Sequence, residues 1–78
     1  MKKKSDAFGP VLRQMRQEKG LTQEKLSEIL GVAAPYVSML ESGHKYPNLE
    51  MLFKISEALG TRPGAMLDAM EERIRKLS

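Results

Sequence analysis

Cysteine and tryptophan are absent from this sequence, and histidine occurs once, at His44. Without cysteine the chain can form neither disulfides nor thiolate metal sites, and redox compartment is left open. The segment "ESGHKYP" gives His44 no suitably spaced ligands, which argues against a metal site and against histidine-based catalysis. The glycine-rich phosphate motifs of nucleotide enzymes are also absent. We therefore expect a protein that is not an enzyme and uses no cofactor.

Long apolar runs are missing as well. No stretch approaches the length of a membrane span, and the lysine-rich segment 1–4 is followed by Ser5 and Asp6 instead of the apolar segment of a signal peptide. These absences predict a cytoplasmic protein with no membrane partner. At 78 residues and 41% hydrophobic content, the chain suits one small domain whose modest core would gain from a second copy.

Basic residues outnumber acidic ones in the chain. There are 13 Lys and Arg against 10 Asp and Glu, which gives a net charge of +3 and a pI of about 9.4. This surplus permits binding to a polyanion such as nucleic acid. Many basic proteins bind no polyanion, so charge alone does not decide the class of partner.

The spacing of apolar residues predicts helices throughout the chain and no strand. The first helix ends after Lys19, where Gly20 follows. It has two candidate starts, since either Asp6 caps it or Gly9 caps it with Pro10 at the first helical position. Its predicted buried face consists of Phe8, Val11, Leu12 and Met15.

Two short helices follow, joined by a turn at a glycine. Thr22 is the expected cap of the second helix, and Gly31 ends it in a left-handed conformation. The third helix has Ala33 as its expected cap and Pro35 in its first turn, and its lack of a capping side chain costs about 1 kcal/mol. The predicted buried residues of the two helices are Leu26, Ile29, Leu30, Val37 and Leu40.

A fourth helix begins at the cap Asn48 and ends at Gly60, and Pro63 opens a fifth. The predicted inner positions of the fourth helix are Leu49, Leu52, Ile55 and Leu59. The fifth helix carries apolar residues at steps of three, four and three, which is typical of a coiled-coil seam. These residues, the expected dimer interface, are Leu67, Met70, Ile74 and Leu77. The alternative is a last helix folded over its own domain.

Two helices joined by a short glycine-containing turn form either an ordinary helical hairpin or a helix-turn-helix, whose second helix enters the DNA major groove. Many residues at matching spacings favour the helix-turn-helix. Because of these residues, the chain from about Phe8 to Leu67 resembles the lambda-repressor/Cro-like (XRE) helix-turn-helix family. The residues that carry the resemblance are Arg16, Gly20-Leu21-Thr22-Gln23, Leu26-Ser27, Gly31-Val32, Tyr36-Val37-Ser38, Leu40-Glu41-Ser42-Gly43, Pro47, Leu49-Glu50 and Leu59-Gly60.

The resemblance implies an all-α fold, a compact five-helix lambda-repressor-like domain with the helix-turn-helix at helices 2 and 3. We expect a basic tail at residues 1–5, a DNA-binding domain at 6–62, and a C-terminal dimerisation helix at 63–78. In size the chain is similar to phage-type repressors and to controller proteins of restriction-modification systems.

The resemblance also implies roles for individual residues. Gln23 corresponds to a residue that contacts a DNA phosphate and braces the recognition helix, and Ser27 to a small residue that lets the two helices approach. Arg16 and Glu41 match an ion pair inside the domain. The positions that reach base edges in this family fall on Ala34, Pro35, Ser38 and Met39.

These base-edge positions lack the Gln, Arg, Lys or Asn that make bidentate contacts in many relatives. Apolar side chains can instead contact the thymine methyl group, so we expect A·T-rich contacts, with the remaining specificity from phosphate register and DNA deformability. The alternative is that this helix recognises no sequence. The expected phosphate contacts, besides Gln23, are Tyr36, Lys45, Tyr46, Asn48 and Arg13, with His44 a weaker candidate.

These patterns together predict a transcriptional regulator that binds double-stranded DNA as a homodimer on a palindromic operator. Two alternatives remain open from the sequence. One is an antitoxin that binds both operator DNA and a toxin. The other is a protein-interaction module without DNA binding, which would use the recognition face or the methionine-containing last helix.

Overall fold

The computed structural model describes residues 3–77, and in that range it contains helices and no strand. The five predicted α-helices are confirmed, and a short 3-10 helix precedes them. The 3-10 helix spans Lys4–Ala7, and the α-helices are α1 (Phe8–Glu18), α2 (Gln23–Leu30), α3 (Pro35–Ser42), α4 (Leu49–Ala58) and α5 (Pro63–Leu77). The boundary predicted between residues 5 and 6 therefore falls inside a helical turn.

One hydrophobic core joins all five α-helices. Most of its members follow the predicted helical spacing, and full burial of each large side chain stabilises the fold by about 1.5–3 kcal/mol. The buried cluster is Phe8, Leu12, Leu26, Leu30, Val37, Leu40, Leu52, Ile55, Leu59 and Met66. Met66, which is fully buried, was not among the predicted inner positions of α5.

The start of α1 differs from both predictions. The helix begins at Phe8 with Ala7 at its N-cap, so Gly9 and Pro10 lie in its first turn. Asp6 belongs to the preceding 3-10 helix, where its carboxylate accepts a hydrogen bond from the Lys3 backbone N–H at 3.2 Å. Neither Asp6 nor Gly9 caps α1, because the 3-10 helix runs directly into it.

The predicted cap of α3 is also wrong by one residue. Ala34, not Ala33, occupies the N-cap, and Pro35 is the first helical residue, where a missing N–H costs no hydrogen bond. The expected lack of a capping side chain is confirmed. The caps predicted for α2 and α4 are confirmed, since Thr22 and Asn48 accept bonds from the third backbone N–H of their helices.

Two predicted core residues are exposed. Ile29 is 49% exposed, because the buried stripe of α2 runs through Leu26, Ser27 and Leu30 and is rotated away from it. Leu49 is 75% exposed, because it is the first residue of α4 and precedes the turn in which Leu52 meets the core.

The first turn of α1 lies unusually close to α3. A Cβ atom built on Gly9 would overlap the carbonyl oxygen of Glu41 and lie 2.9 Å from that of Leu40. Only a residue without a side chain permits this approach. The contact fixes the C-terminal end of α3 against α1.

The last helix packs on its own domain along part of its length. It contacts α1, α4 and the 3-10 helix, with Met66 inside the core and Met70 packed against it. Leu67 and Leu77 are 50% and 60% exposed. The first half of α5 therefore shares the core of residues 6–62, while part of its predicted seam faces solvent.

Candidate nucleic-acid interface

The turn between α2 and α3 is closed by specific hydrogen bonds. Gly31 ends α2 with φ of 73°, a left-handed conformation that favours glycine, and Val32 N donates to the Ser27 carbonyl at 3.0 Å. The buried Ser27 hydroxyl donates to the Ala34 carbonyl at 3.1 Å. Ser27 therefore does more than keep the two helices close, because its hydroxyl ties α2 to the start of α3.

The carboxylate of Glu41 joins three helices. Its Oε2 accepts a hydrogen bond from Arg16 Nε at 2.6 Å, and its Oε1 accepts from Arg16 Nη2 at 3.1 Å and from Gln23 Nε2 at 3.0 Å. Arg16 Nη1 also donates to the Leu21 carbonyl at 2.6 Å. The structure thus places Arg16 of α1, Gln23 of α2 and Glu41 of α3 in one network.

The Arg16–Glu41 pair is shielded from water. Only 10% of the Arg16 side chain and 4% of the Glu41 side chain are exposed, and the two hydrogen bonds make the pair bidentate. The hydrogen bond to Glu41 raises the pKa of Arg16, while burial acts in the opposite direction. Because an arginine is always protonated in proteins, the guanidinium keeps its charge and all of its N–H donors in this buried position.

The predicted base-contact residues lie on the outside of α3. Ala34, Pro35 and Ser38 are exposed and Met39 is half-buried, whereas Val37 and Leu40 on the inner face are in the core. The outer face therefore offers one hydroxyl among apolar groups. Hydrogen-bonding capacity toward bases is small, and the capacity to touch a methyl group is large.

Lysine and tyrosine side chains lie beside this face. Tyr36 packs partly against the core, and the ammonium group of Lys45 lies 5.9 Å from the centroid of its ring. Two backbone N–H groups, those of His44 and Lys45, donate to the Met39 carbonyl and fold the following loop back onto the end of α3. Lys45 is thereby placed next to the outer surface of α3.

The other predicted phosphate contacts occupy varied positions. The Asn48 side-chain oxygen accepts the Met51 N–H at 2.8 Å, so this oxygen caps α4, while the amide NH₂ group is the part of the side chain that could donate to a phosphate. Arg13 is exposed on α1. His44 is exposed, and its Nδ1 lies 2.7 Å from the Ser42 hydroxyl.

Tyr46 has a partner that the sequence did not indicate. Its hydroxyl donates a hydrogen bond to the Asp6 carboxylate, which raises the pKa of Tyr46 because the bond favours the protonated phenol. The Lys3 ammonium lies 5.3 Å from the centroid of the Tyr46 ring. Asp6 and Lys3 are distant in sequence from Tyr46, so spacing gave no signal for this cluster.

The described residues give no sign of a metal site or of a membrane span. In residues 3–77 there is no group of three His, Cys, Asp or Glu side chains arranged to hold a metal ion. Over the same range, every helix is too short or too polar to cross a bilayer.

The chain belongs to the helix-turn-helix family. A family model described as helix-turn-helix matches residues 12–65, which include α2, the turn and α3. The resemblance to the XRE type is confirmed. Membership of this family makes the protein a DNA-binding regulator and not an enzyme.

Similar proteins include transcriptional regulators and a control protein. The chain is 39% identical over 62 residues to control protein C.BamHI of Bacillus amyloliquefaciens, covering 78% of this chain and 76% of that one. It is 41% identical over 64 residues to the transcriptional activator BcrR of Enterococcus faecalis, covering 82% of this chain but only 31% of BcrR. The crystal structure of the clp gene regulator ClgR from Corynebacterium glutamicum superposes with a TM-score of 0.91 at 31% identity, covering 96% of this chain and 80% of ClgR.

Proposed function

We propose that this protein is a cytoplasmic transcriptional regulator that binds a palindromic operator in double-stranded DNA as a homodimer. The observation that carries the proposal is the arrangement of α3. Its inner residues and Glu41 fix it to the domain, while its outer face is exposed and has Lys45 beside it. A helix held in this way can enter the major groove while the adjacent lysine binds the phosphate backbone.

In this proposal Gln23 has two roles. Its amide nitrogen donates to Glu41 in the free protein, and its position at the start of α2 suits contact with a phosphate through the second N–H. A phosphate bound there would be linked to α3 through a single carboxylate. Such a link fixes the register of the recognition helix on the duplex.

The homodimer is supported by the exposed apolar residues of α5. Leu67 and Leu77 lie half or more in solvent, and Met70 and Ile74 are only half-buried by their own domain. A second α5 would cover these four side chains. Helix-turn-helix dimers with a twofold axis bind half-sites separated by one helical turn or a multiple of it, which requires a palindromic operator.

The relatives described above favour transcriptional regulation over the two alternatives. They are regulators and a control protein, and a toxin partner has no support among them. Regulation by occupancy of a promoter operator is accordingly the proposed mechanism.

Replacing Lys45 with Ala tests this function. Because Lys45 is assigned to phosphate, the substitution should weaken binding to operator and to unrelated duplex alike, and should reduce the slope of log K against log salt by about 1 per protomer. The measurement is a fluorescence titration over a range of salt concentrations, whose saturation point gives the number of protomers per duplex. Two protomers per operator are expected.

The matched control for this test is Lys76→Ala, which removes the same charge from an exposed residue near the end of α5. Lys76→Ala should change the slope of log K against log salt less than Lys45→Ala does. Equal slopes for the wild type and the Lys45 variant would show that the loop after α3 does not touch DNA. Failure of the wild type to bind any duplex would reject the function itself.

The outer face of α3 predicts contact with thymine methyl groups. Exchanging thymine for uracil at a contacted position removes a methyl group and keeps the base pair, so affinity should fall by about 1 kcal/mol or less per site. Met39→Ala should abolish that sensitivity. A competition assay of the two DNAs against both proteins measures the difference. If the wild type binds both DNAs equally at every position, DNA shape and phosphates account for recognition.

A further inference from the structure

The N-terminal 3-10 helix is fastened to the loop that follows α3. The Tyr46 hydroxyl donates to the carboxylate of Asp6, and the same carboxylate accepts the Lys3 backbone N–H at 3.2 Å. One acidic side chain thus holds both the loop and the start of the chain's helical part. The Lys3 ammonium lies over the Tyr46 ring, 5.3 Å from its centroid.

Two adjacent lysines of this segment face different surfaces. Lys3 lies against the ring of Tyr46, which is the residue that follows Lys45 in the chain. Lys4 instead lines a shallow groove of about 180 Å³ together with Glu71, Ile74 and Arg75. Both lysines are exposed, so they differ in location and not in burial or charge.

We propose that Lys3 is a phosphate-binding residue of the DNA interface and that Asp6 and Tyr46 position it there. The inference rests on the proposed function. An ammonium group over an aromatic face keeps its N–H donors, which remain available to a phosphate oxygen. Lys45 is placed over the ring of Tyr36 in the same manner. Two lysines, Lys45 of the loop after α3 and Lys3 of the N-terminal segment packed on that loop, are thus each held on a tyrosine ring, where the sequence indicated one.

The role of Asp6 has a signature that distinguishes positioning from charge. Removing an acidic residue from a DNA-binding surface strengthens binding if only net charge matters, because repulsion of the phosphates is lost. If Asp6 positions Lys3, its removal weakens binding instead. The two mechanisms therefore predict opposite signs for one substitution.

The experiment compares Lys3→Ala with Lys4→Ala in the full chain, using a mixed-sequence duplex about two helical turns long. Such a probe suffices because phosphate contacts are independent of sequence. Wild-type affinity should fall as salt is raised from about 50 to about 200 mM. The fold-decrease for Lys3→Ala over the same range should be about three times smaller per protomer, because one phosphate contact is missing. Lys4→Ala should change this fold-decrease by less than half as much. Lys3→Arg, which keeps the charge and the donors, should retain the wild-type slope.

Two more variants test the positioning residues. Asp6→Ala and Tyr46→Phe should each weaken binding by about two- to threefold and lower the slope, as expected from partial loss of one phosphate contact. Stronger binding by Asp6→Ala, or equal slopes for the Lys3 and Lys4 variants, would overturn the inference while the proposed function stood. Absence of salt-dependent binding by the wild type would overturn both.

Discussion

Replacement of Glu41 with Ala is expected to destabilise the domain by about 3 kcal/mol. The carboxylate accepts hydrogen bonds from Arg16 and Gln23. Its loss leaves the guanidinium of Arg16, whose side chain is 10% exposed, with the Leu21 carbonyl as its remaining hydrogen-bond acceptor among residues 3–77. A buried charge without a counter-ion costs more than the pair contributes when intact. Urea denaturation monitored by circular dichroism measures the change.

The chain contains a matched control for this prediction. Glu28 pairs with Lys25 at 3.5 Å, but both side chains are more than half exposed. Because a solvated pair contributes little, Glu28→Ala should change the free energy of unfolding by about 0.5 kcal/mol or less. Similar effects of the two substitutions would mean that the Glu41 network is open to water in solution.

Gly9→Ala is expected to destabilise the domain by about 2 kcal/mol, although alanine is the better helix former. Alanine gains at most about 1 kcal/mol inside a helix. The added methyl group would overlap the Glu41 carbonyl oxygen, and forcing α1 and α3 apart costs about 3 kcal/mol. Backbone on the other side of the contact cannot rotate away as a flexible side chain can. Thermal or urea unfolding measures the net effect.

Gly64 provides the comparison, because it lies in the first turn of α5 with no neighbouring atom within 4 Å of a built Cβ. Gly64→Ala should leave stability unchanged or raise it by up to about 1 kcal/mol. Changes of opposite sign in the free energy of unfolding would show that packing determines the effect at Gly9 and helix propensity the effect at Gly64. A stabilised Gly9→Ala variant would show that α1 and α3 leave room for a methyl group between Gly9 and the Glu41 carbonyl in solution.

The sequence predicted the helices better than their boundaries. Polar caps such as Thr22 and Asn48 are local signals, because the side chain bonds to a backbone N–H of its own helix. The starts of α1 and α3 were misplaced because no side-chain cap marks either one. There the boundary depends on how the preceding turn packs, which is a tertiary effect.

Apolar spacing predicted burial along a wide apolar stripe but gave no signal for a small polar residue within it, and the place of Ser27 between α2 and α3 came only from the family resemblance. Ser27 and Ser56 are buried, so the inner faces of α2 and α4 are wider than apolar spacing alone indicates. In α5 the heptad-like spacing drew attention to Leu67 and away from Met66, the residue that enters the core. The predicted coiled-coil seam of α5 and the face that enters the core are offset by one residue. Only the packing of α5 against α1 and α4 determines which of the two faces is buried.

The contacts of the candidate site were likewise predicted from the sequence only in part. The pairing of Arg16 with Glu41 came from a resemblance that covers most of the chain, and the structure places the two side chains together. The contacts of Tyr46 with Asp6 and Lys3 had no counterpart in the sequence. Asp6 and Tyr46 meet only because α1 packs against the end of α3, so no local spacing could indicate their contact.

The residues that anchor α3 are different from those it exposes. Val37, Leu40 and Glu41 hold the helix, and Ser38, between them in sequence, is exposed to solvent. A substitution at such a surface position usually alters stability by about 0.5 kcal/mol or less. Under the proposed function, a descendant of this protein can therefore change its preferred operator by single mutations through a series of folded intermediates. The fold and the genes under its control are free to evolve on separate timescales.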